Sequence, residues 1–247
     1  MTSNPRSPAA PPRHGVARVI SKMGLGSRTQ AADWVSKGRV RVNGWVVHDA
    51  EFPVRQGLDR VDVDGQATSA GRIALMLNKP RGLVTTAKDE KGRDTVYSCL
   101  AGANLPWLAP VGRLDKASEG LLLFSNDPAW AARITDPSVG QSKTYHVQID
   151  RLPDAALLAA LEHGVLADEP LAVTAARCLR AGGRNAWLEI ILDEGRNRQI
   201  RRMLAALDVS VLRLVRVAIG PLVLGDLPKG QWRMLTTQEV ESLTGAG

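Results

Sequence analysis

Apolar residues in this chain gather into runs of strand length, "ALML" at 74–77 and "LLLF" at 121–124 among them. Neither approaches the roughly 20 residues that cross a bilayer as a helix, so the chain must bury these runs inside its own fold. Short apolar runs bounded by turn residues read as strands covered on both faces. "RIALMLNKPRGLVTT" is one such strand, broken by Lys79-Pro80-Arg81-Gly82, and "EGLLLFSND" is another, ending in turn residues. At 247 residues the chain can bury a substantial core, and one large or two unequal domains are expected.

Residues 1–13, "MTSNPRSPAAPPR", are rich in Pro, Ser and Ala and have no apolar period, which predicts a disordered tail. A small domain is expected over 14–71. Val16, Val19, Ile20 and Met23 recur at helical spacing, "GLGS" stops that helix, and Ser27 can cap the next with Gln30 at the capping-box position. "GRVRVNGWVV" then alternates around Asn43-Gly44, a strong hairpin signal. A second domain is expected over 72–247. There "PAWAARITDP" reads as a short helix closed by Pro137, "KTYHVQI" as a half-buried strand, and "DAALLAALEHG" as an amphipathic helix ending at Gly164. "AWLEIILDEG" and "VLRLVRVAIG" read as strands on either side of a basic helix, "RNRQIRRMLAAL". Strands mixed with isolated helices indicate an α+β protein. The expected architecture is a small N-terminal α/β domain, then a mixed, largely antiparallel sheet with flanking helices.

The formal charge of +7 favours a polyanionic partner. Two Tyr and two Phe stand beside six Trp, so surfaces for stacking bases are few. Cys99 and Cys178 lie far apart without metal-ligand spacing and read as reduced core residues. The histidines at 14, 48, 146 and 163 suggest neither a triad nor a metal site. No segment has the order of a signal peptide, so a cytoplasmic protein is expected, and without an evident exposed apolar stripe a monomer is expected.

Chemistry concentrates in two stretches. In "VGRLDKASEGLLLFSND" the carboxylate of Asp115 stands between Arg113 and Lys116 at the mouth of a buried strand. "EGRNRQIRRML" carries Arg196, Arg198, Arg201 and Arg202. On a helix begun near Asn197, Ile200, Met203 and Leu204 face inward while Arg198 and Arg202 lie one turn apart on the other side. Arg201 flanks the apolar stripe, where a guanidinium needs an anion. One reading is a solvated basic face. The other pairs Arg201 with Asp115, holding the carboxylate ionised by lowering its pKa.

"LNKPRGLVTT", "GRLDKASEGLLLFSND", "KTYHVQI" and "DEGRNRQIRRML", in this order, resemble the core motifs of ribosomal RNA pseudouridine synthases of the small-subunit uridine synthase family. "SRTQAADWVSKGRVRVNG" resembles the small RNA-binding domain first named for the fourth protein of the small ribosomal subunit. Together the likeness runs from Val16 to Thr236. It implies conversion of a uridine in ribosomal RNA, free or in a pre-ribosomal particle, to pseudouridine. The bond from C1′ to N1 is broken, the base is turned and C5 is joined to C1′, with no metal or cofactor. By resemblance Asp115 is the essential catalytic residue, either attacking C1′ or taking a C2′ proton. Tyr145 would stack on the uracil, Arg201 would pair with Asp115, and Leu212 would pack around the base. Ala117 and Pro128 depart from residues common in the family, which bears on the shape of the loop.

A uracil must leave its stack to be reached, so flanking phosphates need clamps. Lys79, Arg81, Arg113, Lys116, Arg196 and Arg198 are candidates. In the small domain Arg18, Lys22, Arg28, Lys37, Arg39 and Arg41 are expected to bind structured RNA and orient the second domain. The "DKASEGLLLFSND" and "QSKTYHVQI" segments lean toward relatives acting on large-subunit RNA. The rival readings are a non-catalytic RNA-binding or ribosome-assembly protein, and a hydrolase with paired carboxylates, which would need a second acid beside Asp115.

Overall fold

Asn43 (φ 52°) and Gly44 (φ 87°) turn the chain back on itself with successive positive φ angles, the conformation a tight two-residue hairpin demands. The surrounding architecture is taken from a computed structural model that describes residues 13–55, 59–64, 66–67, 72–87, 89–136 and 140–244. The tail expected over 1–13 and Pro137 lie outside these residues, except that Arg13 begins a strand. The chain divides into two compact units. The first ends at Arg72 and includes Asn104–Leu108; the second spans Ile73–Ala103 and continues from Ala109.

In the first unit β1 (Arg13–Gly15) leads into α1 (Val16–Lys22), and α2 (Arg28–Ser36) starts at a capping box in which Ser27 and Gln30 bond each other's backbone. β2 (Val40–Val42), β3 (Trp45–Val46), β4 (Pro53–Arg55), β5 (Val61–Val63) and β6 (Gln66–Ala67) follow. The strands form an antiparallel sheet in the order β3-β2-β5-β6, and β1 pairs with β4. Val16, Ile20, Ala31, Val35, Val40 and Val54 are completely buried between helices and strands.

The second unit contains β7 (Ala74–Lys79), β8 (Ala109–Val111), β9 (Glu119–Ser125), α3 (Pro128–Thr135), β10 (Lys143–Ile149) and α4 (Ala155–His163). After the short strands β11 (Val165–Leu166) and β12 (Pro170–Leu171) come β13 (Ala175–Ala181), β14 (Ala186–Leu192), α5 (Gln199–Ala206) and β15 (Val211–Ile219). β16 (Leu222–Val223), β17 (Trp232–Met234) and α6 (Thr237–Ser242) complete it. The main sheet runs β13-β14-β10-β15-β9-β7-β17, with β8 added to β9 and β16 to β15. Among the described strands of this sheet every pairing is antiparallel except β15 with β9, a mixed sheet of the expected α+β kind.

All seven residues of β9 are buried, which explains its unbroken apolar run. Pro128 occupies the first turn of α3, where a missing N–H costs nothing, and Asp127 caps Ala129 and Trp130. α4 and α5 pack with β10, β14 and β15 around Ile149, Leu161, Leu188 and Met203. A separate cluster around Leu121, Leu123 and Trp130 lies beside α3 and α6. Cys178, expected in a core, is exposed on β13, and Cys99 is partly buried.

Candidate active site

The segment from Leu114 to Ser118 is tied down through its backbone. Lys79, at the end of β7, is completely buried, and its Nζ donates to the carbonyls of Pro80 (3.0 Å), Asp115 (3.2 Å) and Ser118 (2.9 Å). Thr85 Oγ1 donates to the Leu114 carbonyl at 2.6 Å, and Arg201 Nη2 donates to that of Ala117 at 3.1 Å. A charge-assisted bond to a buried carbonyl is stronger than a neutral one, so Lys79 orders the loop. Burial lowers its pKa to about 8 against the opposing pull of Asp115. The phosphate clamp expected of Lys79 is therefore corrected: its ammonium has no face open to RNA.

With its backbone fixed, Asp115 opens its side chain into a cavity of about 410 Å³, also lined by Ser118, Lys143, Tyr145, Leu214 and Arg216. The guanidinium beside Asp115 belongs to Arg198, whose Nη1 is 3.7 Å from Oδ2. Arg201 instead bonds the carbonyls of Ala117 and Val211, and burial, then Arg198, lowers its pKa while Asp115 opposes the shift. The expected Arg201–Asp115 ion pair thus gives way to one with Arg198. The cause is local: α5 begins at Gln199, beyond the expected Asn197, and Arg198 adopts the left-handed conformation at φ 49°. Buried Gln199 anchors this start by donating to the Ala172 carbonyl at 2.8 Å.

Tyr145 lies on β10 opposite Ile190 on one side and Arg216 on the other. Leu212, expected against the base, is 40% exposed and does not line the cavity; Leu214, two residues on, does. Arg81, Arg113 and Lys116 are exposed, and Arg113 and Lys116 line a neighbouring hollow that also reaches Asp115. Arg196 is exposed but engaged by Glu169 at 2.9 Å and Glu194 at 3.0 Å, so a phosphate would have to displace two carboxylates. In the first unit Arg28 faces Glu51 at 3.7 Å, Lys37 bonds Asp33 at 2.8 Å and Arg39 pairs with Asp64. Arg41 is exposed and donates to the Gly44 carbonyl. Arg18 and Lys22 lie near His14, whose pKa is lowered by burial and then by these two cations.

Sequence reasoning passed over Lys143, Asp193 and Arg216, all lining the cavity. Lys143 was within reach, because two residues before Tyr145 on a strand means the same face. Glu119, weighed as a second acid, is 2% exposed and held by Arg213 at 3.0 Å and by Lys229, away from the cavity.

A family model described as RNA pseudouridylate synthase matches residues 73–206, and one for the S4 domain matches 16–59. "Ribosomal large subunit pseudouridine synthase B" of Bacillus subtilis is 35% identical over 92% of this chain and 93% of its own length. The protein of that name from Salmonella typhimurium is 36% identical over 92% of this chain and 81% of its own. A solved "pseudouridylate synthase" at 32% identity superposes with a TM-score of 0.62 over 93% of this chain and 99% of that one. With a matched synthase region of more than half its length, this chain belongs to the RNA pseudouridylate synthase family and carries an S4 domain ahead of its synthase domain.

Proposed function

We propose that this protein isomerises a uridine of large-subunit ribosomal RNA, with Asp115 as the reacting carboxylate. The observation that carries the reading is the position of Asp115: a carboxylate on an immobilised loop, opening into a cavity beside a half-buried tyrosine. The subunit follows the names of the relatives from Bacillus subtilis and Salmonella typhimurium.

An extruded uridine would enter with its ring against Tyr145 and Leu214 and its C1′ toward Asp115. The carboxylate then attacks C1′, or takes the C2′ proton, as N1 departs. The base turns and C5 bonds to C1′ as the carboxylate leaves C1′, or as C2′ takes its proton back. C5 then gives up its proton and N1 takes one up, so substrate and product are isomers. Arg198 stands beside the Asp115 carboxylate, and Arg201 acts through the loop it bonds at Ala117. Arg81, Arg113 and Lys116 are the clamps for flanking phosphates, while Arg18, Lys22, Arg28, Lys37, Arg39 and Arg41 hold structured RNA, each by charge rather than sequence. The protein would work as a cytoplasmic monomer on naked ribosomal RNA or a pre-ribosomal particle.

Tritium release from transcripts labelled at uracil C5 tests this reading. Release from large-subunit RNA by wild type, and none by Asp115→Ala, is expected. Release from small-subunit RNA alone would reassign the substrate. No release from either RNA, with binding intact, would favour the non-catalytic RNA-binding reading.

A further inference from the structure

Arg216 is 6% exposed, yet its guanidinium is only partly satisfied. Nε donates to the Leu121 carbonyl at 2.8 Å, whereas buried Nη2 has no hydrogen-bond partner among the described residues. Such a group is costly to leave unmet. The backbone leaves it little room to move. Arg216 sits beside Gly120 in the parallel pairing, and a Cβ at Gly120 (φ 102°) would lie 2.2 Å from the Arg216 carbonyl oxygen. Lys143, on the same strand face as Tyr145, also lines the cavity and makes one long contact, 3.5 Å to the Asp193 carbonyl. Burial and then Arg216 lower its pKa, while Asp193 opposes the shift.

We infer that Arg216 and Lys143 form an anion seat for the uracil ring during its detachment, a role that rests on the isomerase reading above. When the C1′–N1 bond breaks, its electron pair leaves with the base, and the negative charge spreads over N1 and the ring oxygens. C5 then supplies the pair for the new bond to C1′, its proton leaves, and N1, freed of the ribose, takes up a proton. Fixed donors stabilise most where charge develops. The rigid fork of Arg216 can meet a ring oxygen edge-on while Tyr145 covers a ring face. The flexible ammonium of Lys143 can follow the oxygens as the base turns.

Single-turnover assays of wild type, Arg216→Gln and Lys143→Met would use RNA with either uridine or 5-fluorouridine at the target, since fluorine itself stabilises the departing anion. Arg216→Gln is expected to slow uridine conversion by about 100-fold with unchanged RNA affinity. Its effect on loss of the fluorouridine N-glycoside should be several-fold smaller. Equal losses on the two bases would overturn the seat, because a merely structural defect slows both alike. Should Arg216→Gln fail to fold, Lys143→Met, at a half-buried position, decides by the same comparison. A wild type inactive on uridine would overturn the isomerase reading and the seat with it, whereas an active wild type with equal losses in the variants sinks the seat alone.

Discussion

Three cations of the first unit and three around the cavity are held in opposite ways. In the first unit Arg28, Lys37 and Arg39 are exposed and meet exposed carboxylates. Around the cavity Lys79 and Arg216 are buried, Arg201 is half-buried, and all three bond main-chain carbonyls. Exposed pairs contribute about 0–1 kcal/mol and can exchange a carboxylate for a phosphate. Lys79 and Arg201 cannot leave without stranding the carbonyls they bond, so they fix geometry instead. Positive charge therefore serves binding where it is exposed and shape at Lys79 and Arg201, and a count of Lys and Arg cannot separate the two.

Lys79→Met would break this contrast most severely. It strands three carbonyls, at a cost of about 3 kcal/mol or more, read by urea unfolding, with activity lost alongside. Because burial lowers the Lys79 pKa from 10.5 to about 8, the unfolded chain binds more protons across that window. The contribution of this group to stability accordingly rises with pH from about 8 to 10.5. A wild-type minus mutant difference that stays flat across the window would contradict this account of Lys79.

Glu119→Gln comes next, at about 2 kcal/mol, because the charged hydrogen bonds of a buried carboxylate to Arg213 and Lys229 are lost while those two partners stay open to water. Burial pushes the Glu119 pKa up, but its hydrogen bonds to Arg213 and Lys229 outweigh this and hold it below 4.5. Its stabilisation is thus full above 4.5 and lost as pH falls through the lower folded value. The mutant should lack this share of acid destabilisation, measured as unfolding free energy against pH. Smallest are Arg18→Ala and Arg41→Ala in the first unit. Each should leave Tm in place and reduce the salt dependence of RNA binding by about one unit of slope. A fall in Tm would mean that these exposed cations also support the fold.

Elements whose signals are local were readable in the sequence: the Ser27–Gln30 capping box, the Asn43-Gly44 turn, and β10, whose seven residues match the "KTYHVQI" stretch. β13 was passed over because an exposed edge strand has little apolar pattern to betray it. Within the site, Asp115 and Tyr145 stood out through motifs and do line one cavity. The inward turn of Lys79, the left-handed Arg198 and the exchange of Leu212 for Leu214 were hidden. Each depends on a neighbouring strand or on a helix starting two residues late, and periodicity within one segment reports neither.

Asp115→Asn offers the most direct measurement. The amide keeps the size of the side chain, and the loop backbone is held by Lys79, Thr85 and Arg201, so melting temperature and RNA affinity should match wild type. Single-turnover tritium release from large-subunit RNA should then fall below a few percent of wild type. Release above that level from a folded, RNA-binding variant would contradict Asp115 as the reacting group.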